Sequence, residues 1–285
     1  EAVGKFGGDT DNWMWPRHTG DFSMLRIYAG KDNEPADYSA ENQPLKPKHH
    51  LPVSVKGVKE GDYAMVMGYP GSTDRYLTSY GITRELDLRQ PTTVKIRGER
   101  LDLMKQGMDA SPAVRIQYAS KYASVSNYWK YFIGQQAGLK RLKVYDKKKA
   151  QEDAFADWVK ADKDRTAKYG ETIKLLEDGY AEMSKYTKSE VYLREAAFGS
   201  EILRFSFSFS ALERELEKEN PSAEAIKAIS EVLKENAKGH FKDYNASTDQ
   251  RITAKLLSMY ANDIAADQLP SFLKDATAKY NGYFK

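Results

Sequence analysis

Cysteine is absent from the 285 residues, so disulfides, thiolate metal sites and thiol nucleophiles are excluded, while an oxidising compartment would be tolerated. Long apolar runs are absent too. No stretch approaches the roughly 18 residues that a membrane-spanning helix needs, and nothing at the start has the layout of a secretory signal. Charge of one sign is also lacking, since 44 Lys and Arg face 41 Asp and Glu for a net charge of +3. These charges are spread without blocks, which argues against a nucleic-acid binder and against a polybasic membrane anchor. Histidine is scarce: His18, His49, His50 and His240 are the only ones, and none has the spacing of a zinc pair on a helix. Asp9-Thr10-Asp11-Asn12 opens like a calcium loop but carries Met14 where an EF-hand needs glycine, so neither a metal nor another cofactor is expected. No internal repeat period is present. The chain has no initiator methionine, and Glu1-Ala2-Val3-Gly4 leads directly into strand and loop material, so it reads as an internal piece of a longer protein.

What is there is concentrated between Gly7 and Tyr28. Two of the four tryptophans, Trp13 and Trp15, stand beside Asp9, Asp11, Asn12, Arg17, His18 and Asp21, in a segment too irregular for a helix and too polar for a core strand. Gly7-Gly8 and Pro16 punctuate it, and Asp21 to Tyr28 then reads as a strand. A carboxylate at the first position of a buried strand, directly after Gly20, can cap nearby backbone N–H groups as a turn residue. It can also be the orienting acid of a Ser-His-Asp triad, which sits buried and accepts a hydrogen bond from histidine. The turn role is the commoner of the two, and the residues alone leave both open. His18 is three residues before Asp21 and would have to turn back on its own loop to serve as a base, so it is read as structural.

Further along, 30–48 is polar and proline-bearing, a connector between strands. Leu51 to Val55 and Asp62 to Gly71 read as strands, with a partner over Arg75 to Thr83. Beyond Arg84 apolar residues recur at steps of three and four, which marks a change from sheet to helix. The pattern predicts a helix over about 93–108. Ser111-Pro112 offers a cap followed by proline in the first turn, opening a long helix toward Tyr145. On it Ile116, Ala119, Ala123 and Asn127 fall on one face, an apolar seam that would shield the Asn127 amide. A core asparagine bonded to neighbouring backbone is the ordinary reading of such an amide. Gly134 and Gly138 read as close-packing positions. Thr187 to Glu190, Asn220-Pro221 and Ser247 to Gln250 each look like helix starts. Phe205 to Ser210 alternates with period two, yet its flanks make it helical.

The segment FGGDTDNWMWPRHTGDFSMLRIYA, from Phe6 to Ala29, resembles nearly residue for residue the region around the triad aspartate in bacterial serine dipeptidyl-peptidases of the dipeptidyl-peptidase 7 and 11 type. The resemblance implies that Asp21 is the triad acid and that Asn12, Trp13 and Arg17 belong to the substrate-binding wall. Ser126-Asn127-Tyr128-Trp129-Lys130 is similar to the family segment in which this asparagine reaches the substrate amino terminus. EGDYAMVMGYPG, ending at Gly71, resembles the opening of the second barrel of chymotrypsin-like peptidases. The implied fold is α+β and multidomain, with part of a chymotrypsin-like double β-barrel over 1–83 and an α-helical capping domain over 84–285. The implied activity is release of dipeptides from the free amino terminus of oligopeptides by acyl transfer to serine. In the family the order is His, Asp, Ser, and neither the histidine motif nor a Gly-Asn-Ser-Gly-type loop occurs here, so this chain alone is expected to be inactive. The same resemblance implies a periplasmic, secreted or cell-surface protein and allows a homodimer of the complete protein. It places the choice between acidic and apolar side chains near the serine.

Two other readings compete. A carbohydrate- or peptide-binding module would use Trp13, Trp15 and Trp129 as stacking platforms. A helical interaction protein would bind partners through its bundle and leave the first 30 residues unexplained.

Overall fold

The computed structural model describes residues 12–13, 24–65, 67–69 and 71–279. Two compact units make up the chain, Glu1–Arg75 and Tyr76–Lys285, a division a few residues before the expected one at 83/84.

Among the described residues of the first unit the regular structure is one antiparallel pair, β1 (Tyr28–Ala29) with β2 (Gln43–Pro44). It is closed by Leu45 N donating to Ile27 O at 2.9 Å. Asn33, at a φ of 68°, bonds Lys46 through both ends of its amide. The expected strands over Leu51 to Val55 and Asp62 to Gly71 are not formed among these residues, and their apolar side chains are open to water, Val55 at 97% and Tyr69 at 100% exposure. The apolar pattern was real, but a strand is stabilised by cross-strand partners. Here a two-residue ladder is all that supplies them. Among the described residues the double β-barrel is therefore not seen. The partner strand expected over Arg75 to Thr83 is instead a turn followed by helix α1 (Ser79–Arg84), where Thr78 Oγ1 accepts from Gly81 N at 3.4 Å.

The second unit is helical. A π-turn over Glu85–Arg89 joins α1 to α2 (Gln90–Ala110), with Pro91 in the first turn of α2, where its missing N–H costs nothing. Ser111 ends α2 and caps α3 (Pro112–Arg141): its extended backbone breaks the helix while its hydroxyl accepts from Val114 N. Residues late in α2 meet residues early in α3 and the reverse, as in Arg115 Nε to Met108 O and Trp129 Nε1 to Val94 O. The two therefore form an antiparallel hairpin. Leu142 and a left-handed Lys143 stop α3 short of Tyr145, and α4 (Val144–Lys160) starts at once. α5 (Lys163–Tyr169) and α6 (Thr172–Tyr192) follow, then a π-turn over Leu193–Ala197. The remainder is α7 (Glu201–Phe207), α8 (Ser210–Leu216), α9 (Ala223–Lys242), α10 (Ala246–Asp263) and α11 (Ser271–Lys279). No described helix is long and apolar enough to cross a membrane.

Several local expectations change. Phe205 to Ser210 is helical on both sides of a break at Ser208–Phe209. The supposed cap at Thr187 lies inside α6, where Thr187 Oγ1 accepts from Arg84 Nε at 2.8 Å. The caps of α9 and α10 are Ser222 and Asn245, each two residues from its predicted start. Among the described residues a Cβ at Gly134 or Gly138 would meet nothing within 4 Å, so none of these residues packs closely on either glycine. Gly107 is a close-packing position: a Cβ there would lie 2.8 Å from Thr248 Oγ1, so glycine lets α2 and α10 approach.

The core gathers Ile96, Met104, Tyr118, Tyr192, Ile252 and Leu256 from α2, α3, α6 and α10. Tyr192 and Tyr260 stack at 5.4 Å within it. The start of α7 is tied to this core by Asp249, fully buried, whose carboxylate accepts from Glu201 N at 2.8 Å and Ile202 N at 2.9 Å. Both donors are first-turn amides that α7 cannot satisfy itself. Asp249→Ala is expected to lower unfolding free energy by about 3 kcal/mol, since buried amides lose a charged acceptor. Urea denaturation checks this, and a loss below about 0.5 kcal/mol would mean water replaces the carboxylate.

Candidate functional site

The positions singled out from the sequence fall on both units. Asp21 and Arg17 lie outside the described residues. Asn12 and Trp13 form a turn, with Asn12 half-buried and Trp13 at 52% exposure. Trp13 has a φ of 59°, in the left-handed region that bulky side chains avoid. Such backbone strain is tolerated where the surroundings hold a residue for a purpose, and here it presents an indole to solvent.

Asn127 is placed by α3. The seam of α3 that meets the core is Val114, Tyr118, Tyr122, Val125 and Trp129, at steps of three and four. The expected seam is not the buried one, because Ile116 is 82% exposed and Ala119 is open to water. The aromatic side chains of Tyr118, Tyr122 and Trp129 outcompete Ile116 and the alanines for the interior because together they remove more apolar area from water. Asn127 therefore sits across the helix from the core, half-buried, rather than in line with it. Trp129, expected as a possible stacking platform, packs on the core and donates to Val94 O at 3.1 Å.

Asn127, Tyr131 and Gln135 follow one another at four-residue steps along this flank. Gln135 Nε2 donates to Tyr131 Oη at 2.7 Å, and Gln135 Oε1 accepts from the buried Gln90 Nε2 at 2.7 Å. A hydrogen-bonded chain thus runs from Gln90 on α2 across to Gln135 and Tyr131 on α3, the latter one turn from Asn127. It fixes the rotamers of its members, as a site that must present an amide in one orientation requires. The four-residue spacing on α3 was readable in the sequence, but Gln90 enters only through the hairpin. Beside this flank, Arg89, Thr93, Arg97, Tyr128, Phe132 and Glu190 line a cavity of about 270 Å³ between α2, α3 and α6. Arg97 lies over the Tyr128 ring at 5.6 Å and pairs with Glu195 through two bonds of 2.8 and 2.9 Å. Among the described residues no group of three His, Cys, Asp or Glu side chains comes together to hold a metal.

Known proteins resemble this chain over nearly all of it. Dipeptidyl-peptidase 7 of Porphyromonas gingivalis is 44% identical over 281 residues, which is 98% of this chain and 38% of that protein. The Asp/Glu-specific dipeptidyl-peptidase of Flavobacterium psychrophilum is 39% identical over 278 residues, 97% of this chain and 39% of its own length. The crystal structure of Porphyromonas endodontalis DPP11 in complex with the dipeptide Arg-Glu superposes with a TM-score of 0.76 at 31% identity, covering 99% of this chain and 41% of that one. The chain thus spans about two fifths of the length of the relatives it matches. The model of the peptidase S46 family matches from residue 1 to residue 285, and the chain belongs to that family.

Proposed function

We propose that this chain is part of a serine exopeptidase that releases dipeptides from the free amino terminus of oligopeptides. The observation that carries the reading is the family match over residues 1–285, supported by relatives named as dipeptidyl-peptidases at 44% and 39% identity. Asp21 is the acid that orients the catalytic histidine, and Asn12, Trp13 and Arg17 form the wall along which the peptide lies. The first unit contributes part of a chymotrypsin-like double barrel, whose other strands come from the remaining length of the peptidase. The helical unit caps the cleft and limits how much chain fits before the scissile bond, which makes the enzyme an exopeptidase. The protein works outside the cytoplasm, a setting that a cysteine-free chain suits.

The binding-module alternative needed Trp129 as an open platform, and its indole is instead turned to Val94 O and the core. The purified 285-residue chain is expected to release no dipeptide from a chromogenic substrate, because an orienting acid has no activity without base and nucleophile. The full-length peptidase is expected to release it and to be blocked by a fluorophosphonate. Serine-dependent release by the chain alone would overturn this division of the triad.

A further inference from the structure

A second cavity, of about 460 Å³, lies on the helical unit where α2, α3 and α7 meet. Arg97, Arg100, Lys121 and Arg204 line it, with Ser120 and Ser124 among the other residues around it. Two of the four cations are neutralised in place. Arg97 is held by Glu195 at 2.8 and 2.9 Å, and Lys121 by Glu201 Oε2 at 2.5 Å. The other two are not: among the described residues neither Arg100 nor Arg204 has a carboxylate within ion-pair distance. Arg100 Nε is buried and has no hydrogen-bond partner among the described residues. Burial first, and the Arg204 charge second, push the Arg100 guanidinium below its usual range.

A buried guanidinium donor without an acceptor, next to a second unpaired guanidinium, is costly unless something supplies the missing negative charge. Glu201, the one carboxylate lining the cavity, gives Oε2 to Lys121 while its buried Oε1 has no partner among the described residues, and with Glu195 on Arg97 the four cations keep an excess of two positive charges. Planar forks of N–H groups converging on one space match tetrahedral oxyanions through paired bonds. We propose that this cavity binds an oxyanion of the phosphate class, free or as the head of a small phosphomonoester, through Arg100 and Arg204 with the serine hydroxyls at the rim. The cavity shares Arg97 and Tyr128 with the one beside the Asn127 flank, but Asn127 itself does not line it, and the proposal does not depend on the peptidase reading.

The test is calorimetric titration of this chain at low ionic strength with inorganic phosphate and, in a second arm, with phosphoserine, chloride serving as the control anion. Saturable binding of phosphate or phosphoserine that chloride does not reproduce is expected. Tighter binding of phosphoserine assigns the cavity to esters, and equal or weaker binding assigns it to the free ion. Arg204 is exposed, so Arg204→Gln leaves the fold intact by circular dichroism and is expected to weaken binding about tenfold or more, the worth of one charged fork. Arg204→Lys should recover part of the loss, since it restores the charge without the fork. Ser124→Glu, at an exposed rim position, should abolish binding by placing a carboxylate there. Failure of both ligands to bind, or binding that Arg204→Gln and Ser124→Glu leave unchanged, overturns the proposal.

Discussion

In the full-length peptidase, Asp21→Asn should reduce turnover by about 10⁴-fold. The acid of a serine triad takes no proton itself. It accepts from one imidazole nitrogen, fixes the tautomer whose other nitrogen faces the serine, and stabilises the imidazolium formed as serine attacks. An amide of the same shape can donate in place of accepting, which favours the wrong tautomer and removes the charge opposite the cation. The substitution is nearly isosteric, so folding should survive, and the melting temperature of the shorter chain should be unchanged by it. Steady-state turnover of the full-length variant is the measurement. Wild-type turnover would remove Asp21 from the triad and return it to the role of a turn residue bonding backbone amides.

The next largest effect is expected at Asn127. A substrate ammonium entering a cleft gives up water and needs converging acceptors. Leaving it without one costs roughly 2–4 kcal/mol, equivalent to roughly 30- to 900-fold in kcat/KM. Asn127→Ala in the full-length enzyme should therefore lower kcat/KM for free amino termini by that factor and leave the slow reaction of acetylated substrates unchanged. Asn12→Ala should act in the same direction. The amide from the turn and the amide from α3 stand more than a hundred residues apart, at 12 and 127, so a double-mutant cycle gives the sharper result. If both hold the same ammonium, the double variant loses much less than the two single losses combined. Fully additive losses would assign the two amides to separate sites.

The helical half was readable because its signals are local. Ser111-Pro112 ends one helix and begins the next by cap chemistry that needs no distant partner, and the change of apolar spacing after Arg84 marks where helix takes over. Register around a helix was harder. Choosing Ile116, Ala119 and Ala123 as the seam counted apolar residues without weighing them, whereas Tyr118, Tyr122 and Trp129 decide which side is buried. The same distinction moves Asn127 from a shielded core position to the outer flank. The strands failed for a different reason. Alternation in Leu51 to Val55 says which face would be buried but supplies no neighbouring strand, and Val55 is consequently exposed. Arg100 and Arg204, more than a hundred residues apart, share one cavity, which no spacing rule along the chain can anticipate.

Removal of dipeptides from free amino termini, the activity proposed for the complete peptidase, is read from its products. The full-length peptidase is incubated with one short peptide in two forms, free and acetylated at the amino terminus, and the products are identified by mass spectrometry over time. Successive dipeptides from the free form and an intact acetylated form are expected. Single amino acids, cuts within the peptide, or equal digestion of both forms would contradict it.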